Sequence, residues 1–485
     1  MLGLHMGKLP QTKFDTVTDT EDWLQAINRA SVIANTESGL LDRALARKIR
    51  DALNALEKEA HEPGYRRCAL YIEFEPKLLG LCGIHASVLH AGRSSQDILA
   101  TANAGMNRER IVKLAEELLT LLHALTGLAR REQDSIVPAY TNGVQAQPTY
   151  FSHYLLAHYQ VFSRDLARLR ECFERYDACP MGSAVCNGTG WPLNTERMAA
   201  LLGFSRSAGN AFDAGQCQGN DLPLEISQII AGIMLHVNQF LSDFMVQYAQ
   251  TRPWIIYDST NGVYHSSAMP QKRNPGYIND CRRDAGLVLG ETQGVMLRMQ
   301  NLSLGMPDVR DADTMAELAR DCACVISTFA DIISHLKVNQ ARALEELNSD
   351  WTCTQEIADT LMLKAGIDFR TGHAFASELV SRARALGKTP ANTTYAEVAE
   401  CWREWALSHN CPETLPLSED ELSSAMDPKG ILAERKTAGS ASGSEILRQL
   451  ERAESALEQQ ALWIGEKYAT MQAAHELREK LLNEL

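Results

Sequence analysis

LEISQIIAGIMLHVNQFLSDFMVQY, residues 224–248, puts apolar side chains on nearly every face of a helix: Ile229, Ile230, Ile233, Met234, Val237, Phe240, Leu241 and Phe244 fill its three- and four-residue steps. Such a helix needs neighbours all round. Upstream, residues 110–133 paint one apolar stripe through Ile111, Leu114, Leu118, Leu121, Leu122 and Leu125. After Pro148 another helix is predicted, with Tyr154, Leu155, Phe162, Leu166 and Leu169 on its apolar face and Arg164, Asp165 and Arg168 elsewhere. Strand-like alternation is scarce. The expected architecture is therefore all-α, a central bundle of long helices with smaller helical ends. Helices this uniformly apolar are hard to cover within one chain, so association through the bundle is expected.

The chain has 485 residues, which at roughly 150 residues per domain suggests about three domains. A hydrophobic content of 45% and a charged content of 22% exclude disordered and fibrous classes. Lys and Arg number 47 against 61 Asp and Glu, a net charge of −14, which makes nucleic acid a poor partner. Residues 1–22 lack a basic stretch followed by an apolar one, and no later stretch is expected to span a bilayer, so the expected compartment is the cytoplasm, with no membrane partner. Twelve cysteines without a CxxC pair are expected to be reduced, mostly buried thiols. No His, Cys, Asp or Glu cluster has ligand spacing, so neither a metal nor an organic cofactor is expected.

Two irregular stretches interrupt the helices, PMGSAVCNGTGWP at 180–192 and residues 258–275. The second contains SSAMPQKRNP, residues 266–275, in which two hydroxyls, two cations and the Asn274 carboxamide offer donors to a small anion while two prolines limit helicity. Singly, each group has a plain structural reading: Lys272 as a solvated cation, Asn274 as a residue before proline, Ser94 as a turn former, Thr141 as a helix cap.

As a pattern, 265–275 resembles the GSSxMPxKxNP signature of the fumarase/aspartase superfamily, with His265 in place of its glycine. LHAGRSSQD (89–97) and YTNGVQAQP (140–148) are similar to the HTGRSRND and YTHLQxAQP segments of the argininosuccinate lyase branch. Arg164-Asp165 with Arg168 matches that branch's RDxxR, and residues 180–192 with Leu202-Gly203-Phe204, then residues 425–439, resemble later segments. The chain is thus identified as a diverged member of that branch along nearly its whole length. The resemblance implies a three-domain homotetramer: an N-terminal helical domain at 1–92, a central bundle at 93–349 carrying the Ser266 loop, and a C-terminal helical domain at 350–485. It implies active sites each drawing on three subunits, and anti elimination across a succinyl unit that releases fumarate and an amine. The partners would be a small dicarboxylate and an amine. Aligned with the family, Ser266 falls on the general base, while Lys272 and Asn274 fall on the groups holding the carboxylate that gains charge. Thr141 and the turn Ser94, Ser95 and Gln96 fall on the binding of the fumaryl half, with Ser267, Gln147 and His265 as further substrate contacts. A serine oxygen is a weak base in water and needs backbone N–H groups, a nearby cation and exclusion of solvent to serve.

The departures carry information too. The family's histidine in YTH is Asn142 here, and its glutamate partner is Asn279, so an acid–base pair has been exchanged as a unit for two amides. Asn142 can hydrogen-bond a carboxylate but cannot pass a proton near neutral pH. The arginine and asparagine of SRND are Ser95 and Gln96, the family's arginine-gripping segment aligns with MPDVRD (306–311), and its SDRD becomes GQCQGND (215–221), which lacks arginine. Argininosuccinate is therefore not the expected substrate. Two other functions stay open: a non-catalytic homologue kept for binding or structure, and a lyase of the adenylosuccinate or carboxymuconate type. His265 either restores proton transfer or alters loop geometry, and Tyr264 is a second candidate donor.

Overall fold

Residues 17–260, 262–304 and 312–485 are described by the structure, a computed structural model of the chain. Among the described residues sixteen α-helices dominate, and the eight strands are short and form four two-stranded pairs. The all-α expectation is borne out. One long bundle helix, Ser95–Arg131, starts where the Ser94 hydroxyl accepts the Gln96 N–H and the Asp97 carboxylate accepts the Ser94 N–H, a reciprocal cap. It ends with Arg130 and Arg131 in its last turn, where cations complement the helix dipole. It packs on Phe151–Tyr176 and Ala312–Ser334, while Gln218–Tyr248 packs on Gly276–Arg298 and Phe151–Tyr176.

The apolar stretch 224–248 lies within the Gln218–Tyr248 helix, with Ile229, Ile230, Ile233, Met234, Val237, Phe240, Leu241 and Phe244 all buried. Its neighbours cover only one side, and Leu235 and Val246 remain 53% and 63% exposed. Residues 213–248 also reach the length and hydropathy of a bilayer span, with a mean hydropathy of 1.4 over the best window, which corrects the expectation that no such stretch exists. The apolar face that gives this value packs against other helices, so the segment is built into the bundle.

Two hydrophobic cores form. One runs through the bundle and the N-terminal helices; the other is built by residues 351–431 around Phe375, Trp402 and Trp405. The final helix, Gly443–Asn483, packs its Leu450, Leu457, Trp463 and Ile464 into the first core. The stretch 350–485 therefore supplies two bodies of side chains, one forming its own core and one returning to the bundle. All twelve cysteines are free of disulfides.

The RDxxR stretch clamps two bundle helices together. Buried Asp165 accepts a hydrogen bond from Arg168 Nη1 at 2.6 Å and pairs with His236 Nδ1 of the Gln218–Tyr248 helix at 2.7 Å. One turn before Phe162, His158 lies edge-on to Tyr154 and Phe240, and burial pulls its pKa down to about 4 against 6.5. Asp243 opposes that shift and His236 adds to it. Below pH 6.5 the unfolded chain takes up a proton that the folded chain refuses. Stability is therefore expected to fall by on the order of 3 kcal/mol as pH drops towards 4. Denaturant midpoints measured against pH should show this slope in the native chain and lose it in His158→Gln.

Candidate active site

The signature segment folds as a small hairpin. Tyr264–His265 pairs antiparallel with Arg273–Asn274, and the Ser266 N–H donates to the Lys272 carbonyl at 3.1 Å, closing a loop over residues 267–271. Inside that loop Ser266 Oγ accepts the N–H of Ala268 at 3.3 Å and of Met269 at 3.1 Å. Two amide dipoles thus point at the hydroxyl oxygen, an arrangement that favours negative charge there. Lys272 and Ser267 are exposed beside it, and Asn274 Nδ2 donates to the Tyr264 carbonyl at 3.4 Å. His265 occupies an ordinary extended position paired with Arg273, so the replaced glycine met no left-handed requirement at this place. The hairpin base is fixed by a close approach: a Cβ on Gly276 would lie 2.7 Å from the Tyr264 ring.

A second hairpin carries Thr141 and Asn142. Ile136–Thr141 pairs with Val144–Tyr150, and Thr141 faces Val144 across a two-residue turn. Asn142 and Gly143 fill that turn with φ of 53° and 76°. Positive φ at both positions is the demand of a tight hairpin turn, which Asn-Gly meets with least strain. The residue standing where the family has histidine is therefore a turn former at an exposed tip. Thr141 ends a strand, so the helix-cap reading is set aside; the next helix begins at Phe151. Gln147, in the returning strand, donates from Nε2 to Gln355 Oε1 at 2.6 Å.

The third segment is the start of the Ser95–Arg131 helix. Asp97, wholly buried, accepts the N–H groups of Gly182 and Ala184 through Oδ2 at 3.2 and 3.1 Å, tying the helix start to the glycine-rich 180–192 loop. Burial pushes its carboxyl pKa up, and the three amide hydrogen bonds from Ser94, Gly182 and Ala184 oppose that rise. Gln96 Nε2 donates to the Gly215 carbonyl at 2.5 Å. Gly215 belongs to a π-turn, Asp213–Cys217, which takes up the extra residues of the 215–221 stretch before the Gln218–Tyr248 helix begins. Gln96, Asn103, Asn107, Gln216, Asn220 and Arg298 line one cavity there. Two substrate-end segments read separately in the sequence thus meet. The residues aligned with the arginine-gripping segment, 306–311, lie outside the described residues.

The sequence reading missed Asp97 as a positioning group and the amides at 103 and 107. The signals were present: Ser-x-x-Asp is a capping pattern, and 96, 103 and 107 share a helix face. Ser94 and Gln96 bond within the helix start and its π-turn neighbour, Gln147 to the C-terminal unit, and Ser266 within its own hairpin. None of these bonds joins one of the three segments to another.

A mostly helical bundle bearing that serine hairpin defines a lyase scaffold, and comparison with known proteins agrees. The pattern of the family described as "Lyase" matches residues 10–290, and that described as "Argininosuccinate lyase C-terminal" matches residues 351–433. The chain belongs to the family described as "Lyase", and its C-terminal part carries the pattern found in argininosuccinate lyases. It is 29% identical over 381 residues to the argininosuccinate lyase of Alteromonas mediterranea, covering 76% of this chain and 81% of that protein. It is 26% identical over 454 residues to the argininosuccinate lyase of Methanosarcina acetivorans, covering 92% and 90%. EDDS lyase, solved in complex with formate, shares the fold with a TM-score of 0.85 at 22% identity, over 97% of this chain and 94% of that one. The 3-carboxy-cis,cis-muconate lactonizing enzyme of Pseudomonas putida aligns with a TM-score of 0.66 at 17% identity, over 92% and 97%.

Proposed function

We propose that the chain is a carbon–nitrogen lyase catalysing reversible anti elimination of an amine from a succinyl-type dicarboxylate to give fumarate, with Ser266 as general base. The observation that carries this reading is Ser266 Oγ accepting two backbone N–H groups on the hairpin that also presents Lys272 and Asn274. The C–H proton passes to Ser266 Oγ, held as an alkoxide by the Ala268 and Met269 N–H groups and thereby becoming the hydroxyl, and the C–H bonding pair moves into the neighbouring carboxylate, which becomes a dianionic aci-carboxylate. That charge then returns to form the C=C bond while the C–N bond breaks and the nitrogen, carried into the site as an ammonium, leaves with its pair as the neutral amine. Lys272 and Asn274 hold the carboxylate that gains charge, where preorganised donors act most strongly. Thr141, Asn142 and the Ser94–Gln96 turn bind the fumaryl half, with Ser267, Gln147 and His265 around it.

The assembled site lies between copies of the chain in a homotetramer. Supporting this are the outward-facing Ser266 hairpin and the uncovered Leu235, Val246, Leu287 and Leu297 on two bundle helices. Argininosuccinate is a poor fit, because Ser95 and Gln96 replace the family's arginine and asparagine and the Gln96 amide is engaged by Gly215. The test incubates the protein with fumarate and a panel of amines and amino acids, following loss of the enoate's ultraviolet absorbance, with argininosuccinate and nucleotide-bearing succinyl adducts tested for cleavage. Turnover of an amine without argininosuccinate cleavage is expected. Silence across the whole panel would leave a non-catalytic homologue.

A further inference from the structure

Where the first helix, Thr20–Glu37, packs on the final helix, Gly443–Asn483, an open cavity of about 580 Å³ forms. No residue of the serine hairpin or its two companion segments lines it, and neither do the bare leucines and Val246 assigned to contact between copies. Gln25, 6% exposed, ends at this cavity with neither atom of its amide hydrogen-bonded. An amide left so carries its full desolvation cost, and only a ligand offering an acceptor and a donor side by side satisfies both halves. Arg478, 9% exposed, lines the same cavity. Among the described residues its guanidinium pairs with no carboxylate: Nη1 donates to the Leu201 carbonyl at 2.5 Å, and Nε has no partner. By contrast Arg29, one turn after Gln25, is paired with Glu57 at 2.6 Å and with Glu479 at 3.3 Å. Burial pulls the Arg478 pKa down to about 10; the Glu479 charge opposes that shift and Arg29 adds to it. A buried guanidinium without a paired counter-ion favours a carboxylate brought by a ligand. Around the rest of the cavity the signs nearly cancel, with four Lys and Arg side chains against five carboxylates, so a dianion is opposed and a ligand carrying one charge of each sign is matched. Trp23, Leu202 and Met471 supply an apolar wall, and the Trp23 indole N–H is already taken by Thr18 and Glu109.

We propose that this cavity is a second ligand site, separate from the serine hairpin, that binds a zwitterionic α-amino acid with an apolar side chain. The carboxylate accepts from Arg478 and from Gln25 Nε2, while the ammonium donates to Gln25 Oε1, so one carboxamide reads both ends of the zwitterion. The last side-chain bond of Gln25 rotates at little cost, which lets both amide atoms turn onto the ligand. The ligand's side chain lies against Trp23, Leu202 and Met471, and the volume falls in the usual range of small-molecule cavities. The same guanidinium holds the Leu201 carbonyl at the end of the Thr195–Leu201 helix, so an occupied site joins the first helix, the final helix and that short helix through one group. Occupation should therefore stabilise the folded chain.

The experiment is calorimetric titration of the full chain with L-phenylalanine, with 3-phenylpropionate, which lacks the ammonium, and with phenethylamine, which lacks the carboxylate. Phenylalanine should bind about tenfold more tightly than either single-charge analogue. Gln25→Leu removes the unpaired amide at similar volume; it should weaken phenylalanine about tenfold without lowering the denaturant midpoint. Arg478→Lys keeps the charge but not the planar fork and should weaken it by a similar factor. Saturating fumarate should leave the phenylalanine affinity unchanged. Absence of binding to the folded native chain, equal affinity for phenylalanine and 3-phenylpropionate, or an affinity that survives both variants overturns the proposal. Binding that persists in Gln25→Leu and disappears in Lys272→Met places the amino acid at the serine hairpin and overturns it as well.

Discussion

Replacing Ser266 by alanine is expected to lower kcat about 10³-fold with whichever amine supports turnover, while KM moves only a few-fold. Oγ is the one group lost, and its bonds in the folded chain are to the N–H groups of Ala268 and Met269 in an exposed loop. Those amides can turn to water, so thermal unfolding should shift by less than about 0.5 kcal/mol. A loss of rate without loss of fold or of binding marks a group that acts in the transition state. Lys272→Met should lower kcat as well but raise KM more, because the cation binds the ground-state carboxylate too. A Ser266→Ala chain retaining more than a tenth of native kcat would remove the serine from the chemistry and leave the hairpin as an anion clamp.

The helices were legible because their signal is local. The three- and four-step stripes of residues 110–133 and 224–248 state a period that packing then uses; the second segment falls inside a long bundle helix, and the first overruns its helix, which ends at Arg131, by two residues. The 136–150 hairpin was hidden by the resemblance to YTHLQxAQP, although Asn142-Gly143 between two strands is a strong turn signal in its own right. Contacts between distant segments were not legible at all. Nothing near Gln96 announces the Gly215 carbonyl, because that meeting depends on how the π-turn aims the backbone 119 residues later. The return of Leu450, Leu457 and Trp463 to the bundle is of the same kind. A helix's own sequence shows that it has an apolar face, not which neighbour covers it. The serine hairpin was legible as chemistry and not as shape: the signature names Ser266 and Lys272, while the backbone amides that face the serine oxygen carry no side-chain signature.

Removing the carboxylate of Asp177 is expected to cost about 3–5 kcal/mol, the penalty for leaving a buried charge unpaired. Arg108, 2% exposed in the middle of the bundle, reaches Asp177 Oδ1 at 2.9 Å and donates from Nη2 to the Gly203 carbonyl at 2.5 Å. Its guanidinium lies 4.2 Å from the Phe204 ring centroid and 5.2 Å from that of Phe173, and burial lowers its pKa against the opposing pull of Asp177. In Asp177→Ala a carbonyl, two ring faces and the weaker pull of the Glu109 charge remain to hold the cation. Asp177 also accepts the Ser205 N–H at 3.2 Å, so the stretch from 177 to 207, which includes the glycine-rich loop bonded to Asp97, loses an anchor. Activity should therefore fall with stability. The control is Arg108→Met with Asp177→Leu, which removes both charges and keeps volume; it should recover most of the lost stability, giving a strongly non-additive cycle. Denaturant unfolding followed by tryptophan fluorescence reads both. Equal losses in the single and double variants would mean that Arg108 is held by its aromatic neighbours and Gly203 alone, and that the ion pair contributes nothing to joining the 177–207 stretch to the bundle.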